Sequence, residues 1–438
     1  MRLSTKHLKV GTLGVALVAA VSGTATAQAG AGEEGTYLIR GGTVVNPGGQ
    51  RLANTNILVR NNRIVQVGAG ITAPEAKVID AAGKYIYPGM IDANTGIGLT
   101  EIGGIGTMNL RSEMGQYNPH MKALVALNVE SELLGVTRMN GVTTVVTSPT
   151  GGVISGQAAM INTAGWTWED LSVVKSAGMV LNIPGIGGGG GRGGGGGGRG
   201  GPAPVVNTAA QMAELEGFLT ASREYDARRK AGSTKLDLIY ESMRPFMNKE
   251  IPALIPAGGE AAIKSAIEFG EKWGLRVVIV GGAQSWKVRT LLAQKNIPVI
   301  LSSIQAAPSA VGAPYDEIYA APGLLAEAGV KFAFSTGGGS NARHVPFHAS
   351  LAVAYGLKAD DALKALTIWP AEILGAQREI GSIEQGKQAN FFITTGDPMD
   401  LRTQVVEVFI KGRLLADDDR HSRLYLKYKA RPLPVITP

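Results

Sequence analysis

The sequence contains no cysteine, so the folded chain has neither a disulfide nor a thiolate nucleophile, and a cysteine-based zinc site is excluded. Aromatic residues make up only 6% of the chain, which leaves few platforms on which nucleic-acid bases could stack. No basic stripe with interleaved aromatic residues is present. We therefore predict that nucleic acid is not a partner.

Long apolar runs are also absent, except at the N-terminus. There Arg2, Lys6 and Lys9 precede an apolar run at 10–21, and small residues follow at 25–29. This order is typical of a secretory signal peptide, and the run is too short to remain as a bilayer anchor. We predict a cleaved signal peptide at residues 1–29 and a periplasmic protein without a membrane anchor.

The two ends of the remaining chain have similar sequence patterns. Residues 36–86 and 390–415 contain short runs rich in valine and isoleucine. Glycine, asparagine and proline separate these runs, as at 46–49 and 61–62, which is typical of strands joined by turns. We predict one small β-sandwich built from both chain ends, residues 30–89 and 376–438.

The middle of the chain, residues 90–375, alternates strands with helices. Apolar strand-like runs occur at 141–147, 178–183, 251–255, 275–281, 297–301 and 330–335. Helical periodicity occurs between them at 260–273, 286–294, 324–328 and 359–366. The alternation predicts an α/β fold class with a (β/α)8 TIM-like barrel.

One segment interrupts that pattern. From 185 to 201, 14 of 17 residues are glycine. Ordering such a run has a large entropic cost, and the run has no side chains to bury. We predict a flexible insertion at 185–201, either a surface loop or a lid over the barrel mouth.

Residues 87–98 read Tyr-Pro-Gly-Met-Ile-Asp-Ala-Asn-Thr-Gly-Ile-Gly. This stretch resembles the first barrel strand of the amidohydrolase superfamily, whose usual form is Pro-Gly-hydrophobic-Ile-Asp-x-His-x-His. The segments 380–387 and 396–398 resemble the C-terminal return of the same family. The resemblance spans 36–415 and implies relatives such as imidazolonepropionase-like enzymes and Xaa-Pro dipeptidases.

The resemblance also implies a metal centre with histidine ligands, a bridging lysine carbamate and an aspartate. In this chain Asn94 and Gly96 replace the histidine pair, and Gly337 replaces the aspartate. A carboxamide is a poor donor for such metals and a glycine side chain is none. We predict no metal at the family positions. Zinc bound by His344, His348 and a carboxylate stays open as an alternative.

Polar residues still follow the strands at the predicted barrel mouth. Candidate catalytic residues are Glu101, His120, His344 and His348, and candidate substrate-binding residues are Asn94, Ser335, Asn341 and Arg343. The alternatives are a glycine-rich strand-to-helix turn at 335–344, ordinary packed histidines, and a plain loop carboxylate at Glu101.

Two functions are compatible with these residues. The first is hydrolysis of C–N bonds other than ordinary peptide bonds, in cyclic amides or dipeptide-like substrates. The second is a catalytically inactive homologue that serves as a ligand-binding or partner subunit. In either case we expect a small-molecule or peptide-like ligand, and a homo-oligomer or pairing with a metal-complete homologue. The sequence decides neither catalytic activity nor substrate.

Overall fold

The computed structural model describes residues 32–102, 105, 109–186, 207–308, 312–416 and 418–432. The predicted signal peptide and residues 187–201 of the predicted insertion lie outside the described residues. Within the described ranges, no helix combines the length and the apolar character needed to cross a membrane.

The strands alternate with helices through the middle of the chain and cluster without them at both ends. The strands are β1 (Tyr37–Val45), β2 (Arg51–Arg60), β3 (Arg63–Gly68), β4 (Lys77–Asp80), β5 (Tyr85–Pro88), β6 (Met90–Thr95), β7 (Val142–Thr147), β8 (Ile154–Asn162), β9 (Ser172–Leu181), β10 (Ala253–Ala257), β11 (Val277–Gly281), β12 (Val299–Leu301), β13 (Phe332–Ala333), β14 (Phe391–Thr394), β15 (Val405–Ile410) and β16 (Arg413–Leu415). The helices are α1 (Glu132–Arg138), α2 (Trp168–Leu171), α3 (Thr208–Lys230), α4 (Leu238–Met247), α5 (Glu260–Trp273), α6 (Arg289–Gln294), α7 (Glu317–Glu327), α8 (Val345–Ala354), α9 (Ala359–Leu366), α10 (Ile368–Ile373) and α11 (Arg420–Lys429).

The two chain ends form a single eight-stranded sheet. Its order is β16-β15-β14-β5-β1-β2-β3, and β4 pairs with β1 as a branch. Strand β14 joins the two halves, because Ile393 pairs with Ile86 of β5 and Phe392 pairs with Val408 of β15. The predicted sheet domain built from both ends is therefore confirmed.

Successive residues of β14 face two different cores, as expected for a strand with a two-residue period. Phe391 stacks on Phe409 within the sheet domain, with ring centroids 4.7 Å apart. Phe392 points the other way and packs with Tyr87 and barrel residues such as Val142. The sheet domain and the barrel thus share a continuous apolar contact.

The middle of the chain forms a second eight-stranded sheet in the order β6 through β13. The amide of Ala93 in β6 donates to the carbonyl of Phe334 just after β13 at 3.1 Å, which brings the first and last strands together. The predicted barrel is confirmed.

One strand departs from the all-parallel pattern of a (β/α)8 barrel. Strand β8 runs antiparallel to both β7 and β9. Its residues are all buried, although Ser155, Gly156 and Gln157 precede its short apolar run at 158–161. It returns to the opposite end of the barrel directly from β7, so no helix is needed between them.

Candidate ligand site at the barrel mouth

A cavity of about 100 Å³ lies where the barrel strands end. The carboxyl ends of parallel strands gather at one face of a barrel, which is where barrel proteins carry their sites. Nine of the residues that line the cavity lie in or shortly after β6, β7, β9, β10 and β11, and the tenth, Arg111, lies in a loop. The nine are Asn94, Ser148, Pro149, Thr150, Val180, Asn182, Leu254, Pro256 and Val280.

The loop residue Arg111 fills space beside Gly96. A Cβ built on Gly96 would lie 2.8 Å from Arg111 Cδ and 2.9 Å from its Nε, closer than real Cβ contacts allow. A histidine at position 96 would need that volume for its side chain. The arginine therefore occupies the room that the second histidine of the amidohydrolase motif would take.

The backbone holds Arg111 in this position. Its Nε donates to the Ser148 carbonyl at 3.2 Å and its Nη2 donates to the Thr95 carbonyl at 3.5 Å. The Arg111 carbonyl accepts from the Thr150 amide at 2.7 Å. All three bonded residues end or follow barrel strands, so the loop that carries Arg111 is attached to the rim of the barrel.

Arg111 carries a positive charge without a negative partner. Burial lowers its pKa below the ordinary value, but a guanidinium stays protonated in proteins. No acidic side chain in the described ranges forms an ion pair with it. A largely buried cation without a counter-charge is costly, and such groups are usually paired.

A second polar group in the cavity also lacks a partner. The Ser148 side chain is 4% exposed, and its Oγ makes no hydrogen bond in the structure. Most buried polar atoms are hydrogen-bonded, so such an exception calls for an explanation. Ser148 lines the same cavity as Arg111, and its buried Oγ can reach a ligand there after rotation about the Cα–Cβ bond.

Asp92 lies behind the mouth and connects the first barrel strand to the segment after the last one. It is fully buried and accepts from the Thr336 hydroxyl at 2.5 Å and from the Thr336 amide. The Asn94 amide donates to it at 3.3 Å. Burial raises the pKa of the Asp92 carboxyl to about 7, although these hydrogen bonds oppose the shift.

Among the predicted catalytic residues, Glu101 has an evident local contact. It accepts from Ser131 Oγ at 3.0 Å and from Asn128 Nδ2 at 3.3 Å. It thereby ties the loop after β6 to the start of α1. His120 is exposed. Neither residue lines the cavity, and their catalytic roles stay predictions.

The two remaining histidines lie on the element that follows β13. His344 ends a 3-10 helix, Gly339–His344, and His348 lies within α8. His348 is 2% exposed and its Nδ1 lacks a hydrogen-bond partner. Burial and the neighbouring His344 lower the pKa of His348 to about 4. At neutral pH it is therefore a neutral, packed imidazole.

The predicted substrate-binding residues separate into two groups. Asn94 lines the cavity. The Ser335 hydroxyl is turned onto the Asn94 carbonyl at 3.3 Å, Asn341 is exposed, and Arg343 Nη1 donates to the nearby Ser340 carbonyl at 2.8 Å. The structure thus brings Asn94 to the cavity, and the other three are not among its lining residues.

The residues do not fit the metal centre that the fold family implies. Among the described residues, no group of three or more histidine, aspartate or glutamate side chains is placed to hold a metal ion. By sequence, the undescribed ranges contain only His7 and Asp417 as further candidates of these types. The positive charge of Arg111 beside Gly96 also disfavours a cation at this place.

Sequence reasoning missed Arg111, Ser148 and the strong burial of Asp92. A signal for Arg111 exists in the glycine at position 96, because an absent side chain leaves room for a neighbour. Nothing in the linear order tells which neighbour uses that room.

Comparison with known proteins agrees with this architecture. The family model described as "Amidohydrolase family" matches residues 227–415. The structure of an amidohydrolase from Thermotoga maritima MSB8 superposes with a TM-score of 0.74 at 26% identity, covering 87% of this chain and 99% of the other. A Xaa-Pro dipeptidase with bound methionine has the same fold, with a TM-score of 0.53 at 16% identity, covering 86% of this chain and 99% of the other.

Similarity to a curated dihydroorotase covers a short stretch of the chain. A dihydroorotase from Pelotomaculum thermopropionicum is 38% identical over 55 residues, which is 13% of this chain and 13% of the relative. The fold, the family model over residues 227–415 and the Thermotoga similarity together support assignment to the amidohydrolase superfamily, as the motif at 87–98 predicted.

Proposed function

We propose that this protein is an amidohydrolase-fold protein that binds a ligand at its barrel mouth without metal-dependent hydrolysis. The observation that carries the proposal is the position of Arg111, which fills the space that a metal-binding histidine at position 96 would occupy. The proposal corresponds to the second of the two functions compatible with the sequence.

The chemistry of the superfamily explains why this exchange matters. Metal-dependent hydrolases use the ion to convert water into hydroxide at neutral pH and to polarise the scissile carbonyl. Asn94, Gly96 and Gly337 do not supply the donors that such an ion needs. A guanidinium can attract an anion, but it cannot generate a hydroxide nucleophile in place of the metal.

The first prediction concerns metal content. After zinc loading and desalting, elemental analysis of the purified protein is expected to find less than about 0.1 zinc ion per chain, because a stable site needs three or four donors. A His344→Ala, His348→Ala double variant is the matched control and is expected to give the same value. Near-stoichiometric zinc that disappears in the double variant would show a rebuilt metal site and would refute the proposal.

A second candidate function is hydrolysis of C–N bonds in cyclic amides or dipeptide-like substrates. Its support is the 26% identity to the Thermotoga amidohydrolase over most of the chain. The test is a set of assays with dihydroorotate, hydantoin and Xaa-Pro dipeptides, each with and without added zinc. Turnover that co-purifies with the protein would favour this candidate over ligand binding.

We propose further that the protein acts in the periplasm, as the basic, apolar and small segments at residues 1–29 indicate. We also propose that the protein binds a partner, which is either a second copy of this chain or a metal-complete homologue. Cell fractionation followed by size-exclusion chromatography of the exported protein tests both points.

A further inference from the structure

We infer that the cavity at the barrel mouth is a carboxylate-binding site, with the Arg111 guanidinium and the Ser148 hydroxyl as its donors. The inference deepens the proposed function and rests on it, because the guanidinium uses the room that a metal ligand would need. The ligand class is a small carboxylic acid in its ionised form, or the carboxylate end of a larger ligand that enters from the mouth.

Arg111 lacks both a counter-charge and a full set of hydrogen-bond acceptors among the described residues. Its Nε and Nη2 donate to backbone carbonyls, and no described residue accepts a hydrogen bond from its Nη1. No described acidic side chain neutralises it. A guanidinium presents a planar fork of donors that matches the two oxygens of a carboxylate, so an anion of this shape supplies the missing charge and the missing acceptor together.

The Ser148 hydroxyl also lacks a hydrogen-bond partner. Ser148 Oγ is buried and makes no hydrogen bond. An ionised carboxylate offers about four lone-pair positions and no donor. It can therefore accept from the Asn94 carboxamide while it faces Arg111, and also from the Ser148 hydroxyl once that side chain rotates towards the cavity. All three residues line the cavity.

The size and walls of the cavity restrict the ligand further. Its volume of about 100 Å³ equals roughly three waters at the ~30 Å³ that each occupies in the liquid. Val180, Leu254 and Val280 form an apolar part of the wall, which suits a methyl or methylene group beside the charged end. A small carboxylate has both a charged end and an apolar group, whereas an inorganic anion has no apolar group to contact this wall.

The experiment is isothermal titration calorimetry on the full purified protein with sodium acetate, at fixed ionic strength. Acetamide, which has a similar shape but no charge, serves as the ligand control. We expect saturable acetate binding at one site per chain and no binding of acetamide. N-acetylglycine is titrated in parallel to distinguish a small free acid from the carboxylate end of a larger ligand. It binds only if the cavity accepts the end of a larger ligand.

Variants then locate the site. Arg111→Met is expected to weaken acetate binding at least tenfold, as loss of a hydrogen bond to a charged group does. Ser148→Ala is expected to weaken binding severalfold. Arg276→Met is the matched control: Arg276 is also a partly buried arginine whose pKa is lowered by burial and which has no ion pair among the described residues. It precedes β11 at the opposite end of the barrel, so acetate affinity should stay within about twofold.

These outcomes separate the inference from the proposed function. Arg111→Met removes an unpaired buried charge, so the variant is expected to fold, which circular dichroism and its melting temperature verify. Absence of acetate binding, equal binding of acetamide, or unchanged affinity in Arg111→Met would each overturn the carboxylate site. None of those results would bear on metal content or on turnover, which are the measurements that test whether metal-dependent hydrolysis is retained.

Discussion

Replacing Phe392 by alanine is expected to lower the free energy of unfolding by about 3–5 kcal/mol, the usual range for a buried phenylalanine. The ring is fully buried and stacks on Tyr87 with centroids 5.8 Å apart. A Cβ on Gly141 would come within 2.7 Å of it, which shows how closely the barrel surrounds it. The truncation therefore opens a cavity where the sheet domain meets the barrel.

Urea denaturation followed by tryptophan fluorescence measures this loss. Val406→Ala is the control, because Val406 lies on the neighbouring strand β15 and is 42% exposed; it should change stability by less than about 0.5 kcal/mol. Limited proteolysis of the Phe392 variant should release the sheet domain earlier than in the wild type. A loss below about 1 kcal/mol would mean that the junction relaxes around the missing ring.

The second large effect concerns pH. The pKa of Asp92 is about 7 in the folded protein and has its ordinary value of 3.8 in the unfolded chain. A carboxyl whose pKa is raised on folding binds more protons in the native state, so its stabilising contribution is present below pH 4 and is lost as pH rises towards 7. Relative to Asp92→Asn, the wild type is expected to lose about 3 kcal/mol of stability between pH 5 and pH 8.

Chemical denaturation of both proteins at several pH values tests this expectation. Thr336→Val is a second variant, and it removes the hydroxyl that donates to Asp92 at 2.5 Å. Because that donor stabilises the ionised carboxylate, its loss should raise the pKa of Asp92 further and extend the decline in stability to higher pH. Parallel pH profiles for the wild type and Asp92→Asn would contradict the assignment of Asp92 as the titrating group.

Much of the barrel follows from local sequence patterns. The helical periodicity at 260–273 and 359–366 coincides with α5 and α9, because each helix has one apolar face against the strands and one polar face towards water. Strand β8 was not predicted, because its apolar run at 158–161 is short and follows three small or polar residues at 155–157. The strand is buried because it lies between β7 and β9, and this arrangement is visible only in the folded chain.

The site was predicted less well than the fold. The positions of Asn94, Gly96 and Gly337 follow from the motif on β6 and from the segment after β13. Arg111 lies outside any motif, in a loop after β6, and only the folded chain brings it against Gly96. Ser148 is one of many serines in the sequence, and its missing hydrogen bond is visible only when its surroundings are known.

Strand β5 is synthesised long before β14, the strand with which it pairs in the finished sheet. Ile86 and its partner Ile393 are separated by 393 − 86 = 307 positions, so at ~5–20 residues per second the ribosome needs roughly 15–60 s to supply the second strand. Until then one edge of β5 lacks the neighbour that covers it in the finished sheet, and open edges invite pairing with other chains. Protection by a chaperone during this interval would keep residues 85–88 from pairing with other chains.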